Sequence, residues 1–205
     1  MSSQRSDRQL PNGFVCHVMQ AIEDEMGGYS LRMMLRNVGL ERYINELPPV
    51  NSDTEVYASE FAALLRSIRD YYGSGSRGSL TRIGRATWQR LIASAPIIRR
   101  IEFLFLPLLP LLPRCQRALN YLAGCMQEPD GEVSVHLLDT DLILVDHSSD
   151  STFGQEDDKP ICWITLGMIQ AALGGITSEE QDVEEITCRA QGEDACKFRV
   201  RITTS

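Results

Sequence analysis

The chain is poor in basic charge, and its first residues do not have the pattern of a secretory signal. Its 205 residues carry 28 acidic and 20 basic side chains, for a net charge of −8. Contacts to phosphates need a basic surface, so this balance opposes nucleic-acid binding. Residues 1–12 are polar and lack the apolar core of a secretory signal. The sequence therefore predicts a cytoplasmic protein without a nucleic-acid partner.

Signatures of several enzyme classes are missing as well. The sequence has no Gly-x-Gly-x-x-Gly fingerprint for a dinucleotide and no cysteine run for an iron–sulfur cluster. A reductase built on this chain would need an external electron donor. No catalytic residue stands out, so we favour a non-enzymatic role and leave enzymatic activity open.

The most apolar stretch covers residues 97–113, but it is not a membrane span. Arg99, Arg100 and Glu102 interrupt its start, and the uncharged remainder is too short to cross about 30 Å of hydrocarbon as a helix. Three prolines forbid a regular helix through its second half. We expect a buried, proline-bent passage. The alternative is that its uneven apolar wall lines a pocket for a hydrophobic ligand.

The order of the predicted elements indicates an α+β fold. N-terminal helices come first, and they are expected to pack on an antiparallel sheet of about four strands with one helix inserted between its two hairpins. A helix is predicted from Asn12 to the stop at Gly27, and a capping box of Ser52 and Glu55 predicts the start of another. Further helices are predicted over residues 30–38, 41–47, 79–95, 114–127 and 162–173.

The last 75 residues contain the predicted strands. One hairpin is expected around the turn at Asp139, and a second carries the last two cysteines. Between them, residues 148–158 are polar and acidic without calcium-loop spacing, which predicts a solvated surface loop or lid. We divide the chain into a helical extension over residues 1–50 and a ligand-binding domain over residues 51–205.

Three residues near the C-terminus have a spacing that suits a hairpin with its sulfurs on one face. Glu185 precedes Cys188 by three residues, and seven residues separate Cys188 from Cys196. A three-residue loop centred on Gly192, with a left-handed residue, would set the two cysteines opposite each other with Cβ atoms roughly 5 Å apart. Such a pair can share a metal or form a disulfide. Glu185 would point away on a flat strand, so its participation requires a bulge or a strand start.

A third thiol bears on that choice. Cys162 lies at a predicted helix start, where the helix dipole favours the thiolate that a metal needs. Six cysteines in a reducing compartment are more often thiols or metal ligands than a disulfide framework. Three thiolates and a carboxylate suit a closed tetrahedral zinc site better than an iron or calcium site. The alternative is a buried cysteine pair beside a surface glutamate. The other cysteines, Cys16, Cys115 and Cys125, have no partner motif and are predicted to be core or boundary residues.

The stretch from Cys162 to Ile202 resembles the C-terminal half of the 4-vinyl-reductase (hydrocarbon-binding) domain family. The resemblance lies in a helix rich in glycine and small apolar residues, a Glu-x-x-Cys strand, a Gly-Glu turn and a second cysteine before an aromatic strand. That family is related in fold to the heme nitric-oxide-binding domain and to a TRAPP-like family of vesicle-tethering subunits. In its phenol-sensing members the matching positions bind zinc, so the resemblance implies zinc at Cys162, Glu185, Cys188 and Cys196.

The resemblance implies a small hydrophobic or aromatic ligand, and tetrapyrroles are candidates because the family name comes from bacteriochlorophyll synthesis. Residues 29–32, Tyr-Ser-Leu-Arg, match a heme-propionate motif only in part, which speaks against heme by that route. Three hypotheses follow: a zinc-stabilised sensor or binding domain, a tetrapyrrole-pathway carrier, and a non-enzymatic interaction subunit. We also expect a homodimer. The candidate ligand-binding residues are Trp88, Phe103, Phe105, Tyr121 and His136.

Overall fold

The computed structural model describes residues 7–126, 132–177 and 181–202. Helices dominate the first two thirds of the described chain, and they end or turn mostly at glycine or proline. Gly27, at φ +83°, ends the first helix where the sequence predicts its stop. The α-helices are α1 (Asn12–Met26), α2 (Gly28–Asn37), α3 (Ala58–Tyr72), α4 (Ser76–Ser94), α5 (Ile97–Phe105), α6 (Leu111–Met126) and α7 (Trp163–Thr177).

The main sheet has four antiparallel strands in the order β3-β4-β6-β5, which confirms the predicted α+β class. A two-residue turn at Asp139-Thr140 joins β3 to β4, and Asp139 takes the positive φ that such turns require. Helix α7 lies in the chain between the two hairpins, as predicted. Helices α6 and α7 pack against the sheet. The four strands are β3 (Val133–Leu138), β4 (Asp141–Asp146), β5 (Asp182–Thr187) and β6 (Cys196–Arg201).

A small second sheet was not predicted. Strand β1 (Gln9–Pro11) pairs antiparallel with β2 (Thr54–Tyr57), so residues assigned to a polar terminus and to a helix start form strands instead. The predicted capping box of Ser52 and Glu55 is therefore wrong. Helix α3 begins five residues later than that box implies, and the Tyr57 backbone N–H donates to Glu60 Oε2 at 2.9 Å.

Helices α4 and α7 cross with their backbones in contact, and two glycines make this possible. A Cβ added to Gly84 would lie 2.1 Å from the Ile164 carbonyl oxygen, and one added to Gly167 would lie 2.1 Å from the Thr81 carbonyl oxygen. No side chain fits in either gap. The crossing holds α7 against the N-terminal helices. It thereby also fixes Cys162, which directly precedes α7.

The predicted burial of the apolar stretch 97–113 is wrong for most of its first half. In α5 and the 3-10 turn that follows (Leu106–Leu108), Leu106 is buried whereas Leu104 is 74% exposed and Leu108 is 79% exposed. Helix α5 contributes no fully buried side chain to the core. The proline-bent path itself is confirmed, because the helix stops at Phe105 and a new one begins at Leu111.

The predicted solvated loop over residues 148–158 is also partly wrong. Ser148, Ser149, Ser151 and Thr152 are buried, with exposures of 3 to 8%. Arg8 accounts for part of this, because its guanidinium donates to Asp150 Oδ1 at 2.6 Å and to the Ser148 carbonyl oxygen at 2.9 Å. The first half of the loop is therefore pulled under the N-terminal strand, and only its acidic second half faces water.

Candidate metal centre

The four residues singled out near the C-terminus meet in one buried cluster. The Sγ atom of Cys162 lies 3.3 Å from that of Cys196 and 3.8 Å from that of Cys188. Together with a carboxylate oxygen of Glu185, all four candidate ligand atoms lie within 4.8 Å of one another. The three cysteines are free thiols. Zinc–sulfur bonds of about 2.3 Å in a tetrahedron place two sulfurs about 3.8 Å apart, so the cluster has the size of a zinc site.

Each thiol is positioned by the end of a secondary-structure element. Cys162 directly precedes α7, and its carbonyl oxygen accepts the first hydrogen bond of that helix, from the Leu166 N–H at 3.0 Å. Cys196 is the first residue of β6 and pairs with Asp146 of β4. Cys188 follows the end of β5, before a 3-10 turn over Arg189–Gln191. Gly192 then takes the left-handed conformation at φ +88°, as the sequence predicts. The predicted three-residue loop is wrong, because the last pair of β5 with β6 is Thr187 with Lys197 and the 3-10 turn lengthens the connection.

A bulge in β5 turns Glu185 towards the sulfurs. Glu185 pairs with Phe198 of β6, but Thr187 pairs with Lys197, so one extra residue of β5 is accommodated between them. Without that residue, positions 185 and 188 would lie on opposite faces. With it, Glu185 is 8% exposed and Cys188 is fully buried, while Ile186 faces outward at 39% exposure. The bulge required by the sequence argument is confirmed.

One carboxylate oxygen of Glu185 accepts a hydrogen bond, and the other has no hydrogen-bond partner. Its Oε2 accepts a hydrogen bond from the Cys162 backbone N–H at 3.0 Å. Its Oε1 is buried and has no hydrogen-bond partner. A buried acceptor without a partner costs about 1 to 3 kcal/mol, and more when it is charged. An oxygen left in this state beside three sulfurs fits a metal ligand.

With no cation among them, burial and the neighbouring groups raise the pKa of three of the four groups. Burial, with the nearby Cys188, raises the pKa of Glu185 to about 9. Burial also raises the pKa of Cys162, and its hydrogen bonds to the two other sulfurs add to this. The pKa of Cys188 is lowered because Cys162 and Cys196 both donate to it. The pKa of Cys196 is raised, since Cys188 and burial outweigh the lowering by Cys162. A divalent cation would displace the protons that these groups hold.

Two contacts around the sulfurs were not expected from the sequence. The Arg189 backbone N–H donates to Cys196 Sγ at 3.3 Å, and the Ser149 hydroxyl lies 3.4 Å from Cys162 Sγ. Both orient a sulfur and stabilise its charged form. The contact of the Arg189 N–H with Cys196 depends on the turn after Cys188, which is a local feature of the sequence. Nothing in the polar loop signalled the second, because it depends on the packing of that loop under strand β1.

Three of the five candidate ligand residues form an aromatic trio. The ring centroids of Phe103 and Tyr121 are 5.0 Å apart, and the Trp88 centroid lies 5.7 Å from that of Phe103 and 6.0 Å from that of Tyr121. All three contacts are edge-on, the arrangement that aromatic rings favour. Burial raises the pKa of Tyr121 to about 12. The trio lies where α4, α5 and α6 meet, beside open depressions on the surface.

The other two candidates are at the surface. Phe105 is 56% exposed on α5. His136 is exposed on β3, where its Nε2 lies 2.8 Å from Ser134 Oγ. A largely enclosed cavity does exist between α1, α3, α7 and the loop after β4, bordered by Phe14, Phe61 and Met168, but it measures only about 30 Å³. It has room for a water molecule and none for an aromatic ring.

Comparison with known proteins agrees with the suspected resemblance. The family model of the 4-vinyl-reductase domain matches residues 152–202, a range that contains all four cluster residues. Over 45 residues the chain is 40% identical to an uncharacterised protein of Methanocaldococcus jannaschii, which covers 22% of this chain and 25% of that protein. The chain thus matches about a quarter of the length of that curated relative.

The likeness to solved structures extends over nearly the whole chain. An H-NOX protein from S. oneidensis in the Fe(II)NO state superposes with a TM-score of 0.56 at 13% identity, covering 94% of this chain and 99% of that one. An oxygen-binding H-NOX domain related to soluble guanylate cyclases gives a TM-score of 0.60 at 13% identity and 93% coverage of both chains. At this identity the comparison establishes the fold, which is that of H-NOX domains.

Proposed function

We propose that the protein is a small-molecule-binding or sensing domain of the 4-vinyl-reductase kind, with a structural zinc ion at Cys162, Glu185, Cys188 and Cys196. The observation that carries the zinc assignment is the meeting of three thiols and an unpartnered carboxylate oxygen in one buried cluster. Zinc prefers sulfur-rich tetrahedral sites, whereas calcium and magnesium prefer oxygen. Four protein ligands leave no position for a catalytic water, so the role of the ion is structural.

The zinc would hold three elements of the fold together at one point. It would join the start of α7, the bulged end of β5 and the start of β6 around one ion. Elemental analysis of the protein as purified tests this, with one zinc per chain expected. Cys188→Ser removes a ligand and should lower the zinc content to near zero. Cys125→Ser, outside the cluster, is the matched control and should keep it.

The proposed ligand is a small hydrophobic or aromatic molecule that reaches the trio of Trp88, Phe103 and Tyr121. The trio supports this proposal because its side chains are aromatic and because it lies between helices, beside surface depressions. Tryptophan fluorescence during titration with phenol or naphthalene tests this. The two tryptophans provide matched variants: quenching should be lost in Trp88→Phe and kept in Trp163→Phe. Roles for Phe105 and His136 stay predictions, which Phe105→Ala and His136→Ala test in the same titration.

A second candidate is a tetrapyrrole carrier. The structural neighbours include a chain from work on heme redox potential and porphyrin distortion, with a TM-score of 0.62 at 12% identity over 94% of this chain and 100% of that one. In this chain, Tyr29 is 71% exposed and Arg32 is exposed too, so the partial heme-propionate motif does not enclose a cavity. Incubation with heme or a porphyrin should shift and sharpen the pigment's absorbance if the carrier function holds.

The remaining expectations are proposals with simple tests. A homodimer predicts twice the chain mass in light scattering. The division at residue 50 predicts that residues 51–205 fold alone, although Leu10, Val18 and Leu35 share one core with the rest of the chain. A non-enzymatic interaction subunit would bind neither zinc nor a small molecule.

Among the described residues, no helix is long and apolar enough to cross a membrane.

A further inference from the structure

Helix α5 and the turn after it carry a band of large apolar side chains that face water. Isolated apolar side chains are common on protein surfaces, but a contiguous group of exposed apolar side chains often marks an interaction site. Six of them lie within twelve residues. Their exposed fractions are 67% for Ile97, 68% for Ile98, 43% for Ile101, 74% for Leu104, 56% for Phe105 and 79% for Leu108.

The helical period places the α5 members of this band on a single face. At about 100° per residue, Ile97, Ile101 and Leu104 lie within about 60° of one another, and Ile98 and Phe105 extend the same arc. Phe103 lies on the opposite side and packs against Trp88, and buried Leu106 follows on that side. The helix therefore uses its less apolar side to dock on the protein and presents the more apolar side to solvent.

The charge around this face has the opposite sign to the rest of the protein. Residues 97–117 contain four arginines and one glutamate, a net charge of +3 in a chain whose total is −8. The other residues thus carry −11. Arg100 is exposed beside the face, Arg99 is paired with Glu102 at 2.8 Å, and Arg117 is exposed on the neighbouring helix α6. An apolar face with a basic border on an acidic protein is complementary to an anionic surface that has an apolar interior.

We propose that α5 and the following turn dock on an anionic lipid surface. Ile101, Leu104 and Leu108 enter the boundary between headgroups and acyl chains, and the arginines contact the lipid anions. A second copy of this chain fits the face less well, because a two-fold interface would bring the two basic borders together. A nine-residue helix lying in the interface needs no membrane span.

Co-sedimentation of the full chain with vesicles tests the proposal. Vesicles of phosphatidylcholine alone are compared with vesicles in which about one lipid in three is phosphatidylglycerol. The wild-type chain should bind the anionic vesicles and bind the neutral ones at least about tenfold more weakly. Ile101→Asn with Leu104→Asn should abolish binding to both. Leu137→Asn with Leu138→Asn, at exposed positions of β3, is the matched control and should leave binding unchanged.

The charge contribution is tested separately from the apolar one. Arg100→Gln should weaken binding to anionic vesicles by about fivefold and should not alter binding to neutral ones. Thermal unfolding shows whether each variant is folded, and these positions are exposed in the fold. A wild-type chain that stays in the supernatant with both vesicles overturns the proposal. So does a dimer in light scattering that the Ile101→Asn and Leu104→Asn pair dissociates, because the face is then a self-interface.

Discussion

The metal cluster and helix α5 are the two regions where the sequence gives the strongest signal, and their burial is opposite. The cluster residues Cys162, Cys188 and Cys196 are fully buried, although they lie at the ends of elements where loops begin. Helix α5 belongs to the most apolar stretch of the chain, yet Ile98 and Leu104 are 68 and 74% exposed. In these two regions, the spacing of specific side chains predicts a buried position and hydrophobicity does not.

Breaking the cluster should have the largest effect on stability. Cys188→Ser is expected to lose zinc and to destabilise the fold by several kcal/mol, a part of the about 10 to 16 kcal/mol with which structural zinc binds small peptides. Chemical unfolding with and without a strong chelator measures this. The chelator should destabilise the wild-type chain and leave the variant unchanged. An equal response of both chains would show that the cysteine does not act through a metal.

Truncating a leucine in each of two neighbouring helices sharpens the contrast in burial. Leu122→Ala, at a fully buried position of α6, should cost about 2 to 5 kcal/mol, because it removes apolar contacts and leaves a cavity. Leu104→Ala, at its exposed position on α5, should change the free energy of unfolding by less than about 0.5 kcal/mol. Urea unfolding of both variants provides the measurement. A large loss in Leu104→Ala would mean that α5 is covered in the folded protein.

Two glycines of α7, the helix that follows Cys162, test the close contact of α4 with α7. Gly167→Ala should destabilise the protein by about 1 to 3 kcal/mol or more, because the added Cβ would lie 2.1 Å from the Thr81 carbonyl oxygen. Gly174→Ala in the same helix meets nothing within 4 Å and is the matched control. The control should be neutral or slightly stabilising, since alanine favours helix over glycine. Equal melting temperatures for the two variants would contradict the close crossing.

The smallest expected effect concerns a titratable group far from the cluster. Burial lowers the pKa of His17 below 6.5, so the folded chain binds this proton more weakly than the unfolded chain does. Stability contributed by the neutral ring is present above pH 6.5 and declines as the pH falls through that value. In His17→Gln this part of the decline should be absent. Unfolding free energies of both chains at several pH values below about 7 reveal the difference, and parallel curves would refute it.

The sequence predicts that Cys162, Glu185, Cys188 and Cys196 meet, because most of the constraints are local. The spacing of Glu185, Cys188 and Cys196 within one hairpin requires a bulge and a left-handed residue, and the structure has both. Cys162 could be placed at a helix start from Pro160 and the apolar run after it. The α+β order of elements followed from periodicity alone.

The features that sequence analysis missed depend on contacts between distant residues. Strand β1 has only three residues, and it exists because Thr54–Tyr57 lies beside it. The burial of Ser149 depends on Arg8, more than a hundred residues away, which binds Asp150 and the Ser148 carbonyl. Periodicity also does not predict that the apolar face of α5 is exposed. It shows that a helix has an apolar face, but it does not show whether that face points to the core or to solvent.

Zinc K-edge X-ray absorption on the protein as purified tests the central claim most directly, because it reports the atoms bound to the metal. Three sulfur neighbours at about 2.3 Å and one oxygen at about 2.0 to 2.2 Å are expected, with no further ligand in the first coordination shell. In Glu185→Gln the oxygen distance or number should change while the three sulfurs remain. A spectrum with two sulfurs or fewer, or protein that contains no zinc, would contradict the proposed centre.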